Sequence, residues 1–124
     1  MPAIAKLSLF ALDCPDPHRL AEFYMGITGW ELDHVGDDGD WVELRSDGGA
    51  TLAFQHAADH QPPVWPSADH PQQGHIDFDV VDLDAGEAAV MALGARKADM
   101  QPEPDEFRVF LDPAGHPFCL VLAD

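Results

Sequence analysis

Basic residues are scarce in this chain, and their scarcity excludes two classes of partner. The 124 residues include six lysines and arginines against 23 aspartates and glutamates, which gives a formal net charge of −17. A surface with this charge repels phosphate backbones and anionic lipids at long range. We therefore expect no nucleic-acid partner and no membrane partner. The acidic surface itself has two interpretations, a general aid to solubility or a field that attracts cationic ligands.

Cysteines and long apolar runs are also scarce. Cys14 and Cys119 are the only cysteines, and no apolar run approaches the roughly 20 residues of a membrane-spanning helix. The apolar stretch at 7–12 is too short for a signal peptide. We therefore expect a cytoplasmic protein with two free thiols. Phosphate-binding glycine loops, dinucleotide-binding glycine motifs, Cys-x-x-Cys pairs and Gly-x-Ser-x-Gly elbows are missing as well.

The chain does contain one pattern twice. A strand-like segment that ends near Asp16 and leads into a helical pattern recurs near Asp82, at an offset of 66 residues. Two copies indicate a small two-module domain, because a solenoid needs more copies to bury a continuous core. The hydrophobic content of 46% is high enough for the chain to fold.

The elements predicted in the two copies follow the same order. The first copy predicts a strand at 4–12, a helix from Asp16 to Gly29, and strands at 30–32, 41–45 and 51–55. The second predicts a strand at 75–80, a helix from Asp82 to Gly94, and strands at 96–98, 107–111 and 118–122. The predicted fold class is α+β, with two βαβββ modules forming paired curved mixed sheets around a cavity. We place module one at 1–56, the connector at 57–74 and module two at 75–124, within a single domain 1–124.

Three segments of the chain resemble the vicinal oxygen chelate superfamily, which includes glyoxalase I, extradiol dioxygenases, fosfomycin resistance enzymes and bleomycin-binding proteins. They are His75–Asp82, Leu93-Gly94-Ala95, and Asp112–Leu120, which is similar to the family ending Asp-Pro-x-Gly-Asn-x-x-Glu-Leu. The sequences of these segments are most similar to those of the bacterial glyoxalase-like domain proteins. The resemblance implies the glyoxalase/bleomycin resistance fold, but the name of this group implies no established reaction.

The resemblance also implies four metal-ligand positions, which fall on Leu9, Gln55, His75 and Cys119. Only His75 is a strong ligand there, since Leu9 has no donor atom and Gln55 offers a weakly binding carbonyl. We therefore expect no metal and no other cofactor. The less favoured alternative is a divalent metal at His75 with Cys119 and Gln55, with His56 replacing Gln55 if the strand register shifts.

A cavity without metal would bind its ligand through aromatic walls and a few polar groups. The candidate ligand-binding residues are His75, Gln55, Phe54, Trp41, Trp65, Phe118 and Cys119. Each aromatic residue could instead pack in the core, and Cys119 could be a small core residue. His75 has two open interpretations, a structural histidine or an anchor and acid–base group.

Two functions follow from these alternatives. The first is a glyoxalase-like small-molecule-binding protein with a degenerate metal site, which sequesters an aromatic or cationic natural product or drug in the manner of a bleomycin resistance protein. The second is a lyase, isomerase or dioxygenase that uses His75, with or without a divalent metal. Whether the chain is an enzyme stays open. We also expect a homodimer, because symmetric dimers are the commonest oligomers.

Overall fold

The computed structural model describes residues 3–123 of the chain. The chain divides between His60 and Gln61 into two compact units. Residues 57–60 of the connector therefore belong with module one, and the remainder of the connector belongs with module two. The single domain over 1–124 stays a prediction.

Module one has the predicted βαβββ order. Its elements are β1 (Leu9–Cys14), α1 (Pro17–Thr28), β2 (Glu31–Val35), β3 (Trp41–Arg45) and β4 (Thr51–His56). The strand order in the sheet is β1-β4-β3-β2, with β1 parallel to β4 and the other pairs antiparallel. The first strand starts at Leu9, later than predicted, because Leu9 is the first residue with a partner in β4, Thr51. Ile4 and Leu7 before it are exposed.

Local signals at both ends define α1. The Asp16 side chain caps the helix by accepting a hydrogen bond from the Arg19 backbone N–H at 3.2 Å. Gly29 ends it in the left-handed conformation, with φ of 73°. The helix packs on one face of the sheet, where the Tyr24 ring stacks on the Phe54 ring at 5.6 Å. Both side chains are fully buried, so this face is the core of module one.

Module two repeats the order. Its elements are β5 (Ile76–Val80), α2 (Leu83–Leu93), β6 (Arg96–Lys97), β7 (Phe107–Leu111) and β8 (Pro117–Leu122). The strand order is β5-β8-β7-β6, with β5 parallel to β8 and the other pairs antiparallel. The Asp82 side chain caps α2 by accepting from the Ala85 backbone N–H at 3.0 Å, and Gly94 ends the helix at φ of 111°. These observations confirm the α+β class and the two βαβββ modules.

The sheet of module two has two chemically different faces. On the face that α2 covers, the Phe118 ring stacks on Phe110 at 5.7 Å and meets Phe78 edge-on at 6.1 Å. The helix approaches closely because Gly86 has no side chain: a Cβ there would lie 3.1 Å from Leu120 Cδ1. Successive strand residues point to opposite faces, so Cys119 lies on the other face. That second face carries the candidate site.

Among residues 3–123, neither helix has the length and apolar character that crossing a bilayer requires.

Candidate functional site

The site begins at His75, the residue before β5. Side chains at 75 and 77 point to the face of the sheet opposite α2, because they alternate with the helix-facing residues Ile76 and Phe78. The parallel pairing of β5 with β8 then places Asp77 directly beside Cys119. Three residues that can donate electron pairs therefore meet on one face of module two.

Asp77 is the central member of this group. Its Oδ1 lies 3.1 Å from His75 Nε2, and its carboxylate accepts a hydrogen bond from the Cys119 thiol. One ligand atom from each of His75, Asp77 and Cys119 lies within 4.8 Å of the other two. We call these residues the His-Asp-Cys cluster. The imidazole and the carboxylate are largely exposed, whereas the thiol is 7% exposed.

The burial of Cys119 controls the protonation of its thiol. Burial away from water raises the pKa of Cys119 to about 11, and the charge and hydrogen bond of Asp77 act in the same direction. At neutral pH the group is therefore a neutral S–H that donates to Asp77. A thiol in this state is a poor nucleophile, because the thiolate is the reactive form.

A cavity of about 350 Å³ opens next to the cluster. We call it the His75 pocket, and it is lined by Trp65, Gln72, His75, Asp77, Pro102, Phe107, Val109, Pro117, Cys119 and Val121. Apolar side chains supply most of the wall, and the polar groups are few. Volume and lining are typical of pockets that bind small organic molecules.

One wall of the pocket comes from the connector. Trp65 packs against the buried cluster of Ala98, Val109 and Cys119. Nearby, Pro62 lies against the turn at Gly115, where a Cβ would come within 2.5 Å of Pro62 Cβ. Gly115 also has φ of 92°, a conformation that side chains rarely adopt. This close approach holds the connector against the β7–β8 turn.

The loop before β7 supplies another part of the wall, and Gln101 holds it in place. Its Nε2 donates to the carbonyl oxygens of Ala98 and Val109 at 2.9 and 2.8 Å, while its Oε1 accepts from the Val109 N–H at 2.9 Å. Together with the backbone hydrogen bond from Ala98 N–H to the Val109 carbonyl at 3.1 Å, these three bonds hold the segment that leads to Pro102 at the pocket. Sequence reasoning did not identify Gln101, because a glutamine in a segment with two prolines and three acidic residues resembles any surface loop.

The Asp112 carboxylate shapes the β7–β8 turn. It is 3% exposed and accepts hydrogen bonds from the backbone N–H groups of Ala114 and His116 at 2.8 and 3.0 Å. The turn is therefore closed by the Asp112 side chain.

Four predicted ligand-binding residues are not among those that line the His75 pocket: Trp41, Phe54, Gln55 and Phe118. Phe118 is fully buried in the aromatic stack on the α2 side of its sheet. Phe54 is fully buried against Tyr24 on the α1 side of the other sheet. Strand alternation explains both placements, since each phenylalanine is next to a residue on the opposite face, Cys119 or Gln55.

Trp41 and Gln55 are cross-strand partners in module one. The Trp41 Nε1 donates to Glu43 Oε2 at 3.3 Å, and Gln55 is exposed. His56 points to the other face of β4, where it pairs with Cys14 in register and its Nδ1 lies 3.8 Å from Asp40 Oδ1. The register therefore keeps His56 from replacing Gln55.

The strand register changes how the two modules correspond. Module one pairs Ala11 with Ala53, and module two pairs Asp77 with Cys119. At the offset of 66 residues, the counterpart of Cys119 is thus Ala53, two residues before Gln55. Asp77 of module two corresponds to Ala11 of module one. The comparison of the two copies in the sequence did not identify Asp77 as a site residue. The signal was available in the spacing His75-x-Asp77, which puts both side chains on one strand face.

The donor atoms of the side chains decide which set of residues could hold a metal ion. Of the four positions that the resemblance implies, Leu9 offers no donor and Gln55 offers only a weakly binding carbonyl oxygen. The His-Asp-Cys cluster does fit by donor type, since one imidazole, one carboxylate and one thiolate are all zinc ligands. A metal there would have to displace the Cys119 proton. Within residues 3–123, the structure brings histidine, cysteine and acidic side chains together in a group of three at this cluster.

Comparisons with known proteins give a consistent result. The model of a family described as glyoxalase-like domain matches residues 9–121. A crystal structure of a glyoxalase/bleomycin resistance protein/dioxygenase family enzyme from Burkholderia phytofirmans PsJN is 17% identical, with a TM-score of 0.73 over 95% of this chain and 98% of that one. Fosfomycin resistance protein FosX from Mesorhizobium loti is 19% identical, with a TM-score of 0.70 over 98% of this chain and 94% of that one.

A structure described as a possible glyoxalase from Bacillus cereus is 15% identical, with a TM-score of 0.70 over 96% of this chain and 99% of that one. No curated protein sequence matches the chain. At these identities the solved structures establish a shared fold.

Proposed function

This chain belongs to the glyoxalase-like domain family of the vicinal oxygen chelate superfamily, and on that premise we propose that it binds a small organic molecule in the His75 pocket. The observation that carries the proposal is the make-up of the pocket. A cavity of about 350 Å³ has apolar walls and a polar side formed by the His-Asp-Cys cluster. Such a site desolvates an apolar body while a few polar atoms orient it.

The favoured ligand class is a planar apolar molecule with a basic group. Trp65 and Phe107 pack on the buried cluster and offer aromatic surface, while Asp77 offers a carboxylate at the same cavity. The net charge of −17 would raise the local concentration of a cation. Sequestration of an aromatic or cationic natural product or drug would fit this chemistry, and FosX, a similar fold, is named as a fosfomycin resistance protein.

The test uses 2-naphthamidine, a planar aromatic cation, as the probe. Titration of ¹⁵N-labelled protein should shift backbone resonances of Asp77, Val109 and Cys119. A second titration uses the variant Val121→Phe, which fills the pocket and should weaken binding at least tenfold. The matched control is Val35→Phe on β2, an exposed strand of module one, which should bind as the unmodified chain does. Equal binding to both variants, or shifts confined to residues outside the pocket, would reject the proposal.

Enzymatic activity is the second candidate, and the His-Asp-Cys cluster favours it. Asp77 holds His75 in one orientation, as the orienting carboxylate does in acid–base sites. A divalent metal held by His75, Asp77 and Cys119 would supply a Lewis acid for a substrate oxygen. A lyase, isomerase or dioxygenase reaction is compatible with either chemistry.

Metal binding and turnover can be measured separately. Titration with Co²⁺ should produce thiolate charge-transfer absorption that disappears in Cys119→Ser and His75→Ala but persists in the control His56→Ala. Consumption of fosfomycin, followed by ³¹P NMR with and without added metal, tests the compound named for one similar fold. If His75→Ala leaves any measured turnover unchanged, His75 is not the acid–base residue.

We also propose a homodimer, because closed two-fold dimers are the commonest assemblies of small domains. Light scattering coupled to size exclusion should give twice the chain mass of 13.5 kDa. A cytoplasmic location is proposed from the two buried free thiols, and it is tested by fractionation of cells that express the tagged chain.

A further inference from the structure

The wall of the His75 pocket contains an acceptor without a donor. The side-chain Oε1 of Gln72 is buried and has no hydrogen-bond partner among the described residues, and Gln72 lines the cavity. Buried polar atoms in folded proteins are paired in the great majority of cases, because an unpaired one keeps the penalty of lost hydration. This oxygen is therefore an unexplained polar atom at a candidate binding site.

The surroundings of Gln72 make the oxygen available to a ligand. The apolar pocket residues Trp65, Pro102 and Phe107 have no donor except the indole N–H. The other polar residues of the pocket contact one another. Asp77 accepts a hydrogen bond from the Cys119 thiol, and its Oδ1 lies 3.1 Å from His75 Nε2. The lining contains no lysine and no arginine among the described residues. The pocket thus presents an unpartnered acceptor at Gln72 Oε1, and the donor that complements it would have to come with the ligand.

The connector holds Gln72 in place instead of leaving it on a free loop. Its backbone closes on itself through the Val64 N–H, which donates to the His70 carbonyl at 2.7 Å, and the Ser67 N–H, which donates to the Val64 carbonyl at 2.6 Å. Trp65 packs against the sheet, and Pro62 lies against Gly115. An acceptor on an anchored segment can discriminate between ligands, because the position of its backbone is fixed before the ligand binds.

We propose that Gln72 selects the ligand of the His75 pocket by accepting a hydrogen bond from an N–H or O–H group on a planar apolar body. The ligand class is an aromatic amide, amine or amidine. This inference rests on the proposed binding function and adds the group that determines specificity. A ligand that lacks the donor would leave Oε1 unpaired. Its binding would be weaker by the free-energy penalty of that unpaired acceptor.

The test compares two neutral ligands that differ only in the donor. In 2-naphthamide an NH₂ group stands where 2-acetonaphthone has CH₃, so shape and charge match while the donor is lost. Calorimetric titration of the unmodified chain should give an affinity about tenfold higher for 2-naphthamide. The Gln72 side-chain amide resonance of ¹⁵N-labelled protein should shift with 2-naphthamide.

Three variants isolate the role of Gln72. In Gln72→Met, which keeps the length of the side chain without the acceptor, the two affinities should agree within about twofold, with 2-acetonaphthone bound no more weakly than before. Gln72→Glu keeps an acceptor and should retain the preference for the amide, which also covers the case in which Gln72→Met does not fold. Gln73→Met, at the exposed neighbouring position, should behave as the unmodified chain.

The outcomes separate this inference from the function on which it rests. Equal affinities for the two ligands in the unmodified chain would overturn the role of Gln72, since water would then satisfy Oε1, and would leave the pocket proposal intact. Tighter binding of 2-acetonaphthone would mean that the Gln72 amide turns its N–H₂ group toward the cavity, which also overturns the inference. Failure of these ligands and of 2-naphthamidine to bind would remove the proposed function and the inference together.

Discussion

His75 Nε2 lies 3.1 Å from Asp77 Oδ1, and the same carboxylate accepts a hydrogen bond from the Cys119 thiol. Asp77 thus connects an exposed imidazole to a buried thiol. The arrangement differs from a nucleophilic cysteine site, in which histidine removes the thiol proton. Here burial and the neighbouring carboxylate both raise the pKa of Cys119 and keep the thiol protonated, so the polar side of the pocket is suited to binding more than to thiol chemistry.

Removing the Asp77 charge should make Cys119 more reactive. The negative charge and the accepted hydrogen bond both raise the pKa of Cys119, so Asp77→Asn should lower it toward the ordinary value. A decrease of about one unit increases the alkylation rate about tenfold near neutral pH. Iodoacetamide labelling at pH 8 with EDTA, quantified on the Cys119 peptide by mass spectrometry, measures this rate. Asp79→Asn, the next acidic residue on β5, is the control, and an equal increase there would contradict the assignment.

The raised pKa of Cys119 predicts a loss of stability at alkaline pH. The thiol pKa is about 11 in the folded chain against an ordinary 9.0, so the folded state holds the proton more tightly. The contribution of this thiol is fully present below pH 9 and is lost as pH rises through 11. The total loss is up to about 2.5 kcal/mol in the free energy of unfolding.

Urea unfolding between pH 8 and pH 11.5 checks this prediction in metal-free buffer. Because alkaline pH also affects the stability of the chain in other ways, the relevant quantity is the difference in free energy of unfolding between the unmodified chain and Cys119→Ser. A difference that stays constant across this pH range would show that burial does not control the thiol.

The contact between the connector and the β7–β8 turn predicts a large effect at one glycine. Gly115→Ala places a Cβ 2.5 Å from Pro62 Cβ and also strains the backbone at φ of 92°. Gly39→Ala is the matched control, because Gly39 has φ of 76° and nothing within 4 Å of its Cβ position. The Gly115 variant should lose about 1–3 kcal/mol more free energy of unfolding than the control.

A double variant attributes that difference to the contact. Combining Gly115→Ala with Pro62→Gly should recover most of the additional loss in urea unfolding. If the two glycine variants are equally destabilised, backbone strain alone accounts for the effect and the connector is not held at this point.

Phe118 and Phe107 should separate stability from binding. Phe118 is fully buried among aromatic rings on the α2 side of its sheet, whereas Phe107 lines the pocket. Phe118→Leu should lower the free energy of unfolding by about 1–2 kcal/mol and leave 2-naphthamidine affinity unchanged. Phe107→Leu should reverse this pattern, with a several-fold weaker affinity and a smaller change in stability. Thermal unfolding and calorimetric titration of both variants measure the two quantities, and weaker binding by Phe118→Leu would place that ring in the site.

Local signals predicted most of the secondary structure. Asp16 and Asp82 cap the two helices, Gly29 and Gly94 end them, and β3 and β7 have the predicted bounds. Each of these features depends on residues within a few positions, so sequence carries them. The start of β1 was predicted too early because a strand extends only as far as it has a partner, and β4 begins at Thr51 opposite Leu9.

The site was predictable only in part. The sequence identified His75 and Cys119 through the family resemblance, and it named Trp65 as a pocket residue. It did not identify Asp77, because acidic residues are common throughout this chain. The position of Asp77 becomes distinctive only when β8 places the Cys119 thiol beside it. Gln72 and Gln101 were missed for a related reason: an amide in a proline-rich loop gains its role from partners distant in sequence.

By itself the sequence determined the two βαβββ modules and the caps of their helices, because periodicity and capping are local properties. The tertiary structure decided which residues meet. Parallel pairing of β5 with β8 brought Asp77 to Cys119, and the packing of α2 turned Phe118 away from the pocket. Strand alternation tells which side chains share a face, but only the packed sheet shows which face a helix covers and which one stays open to a ligand.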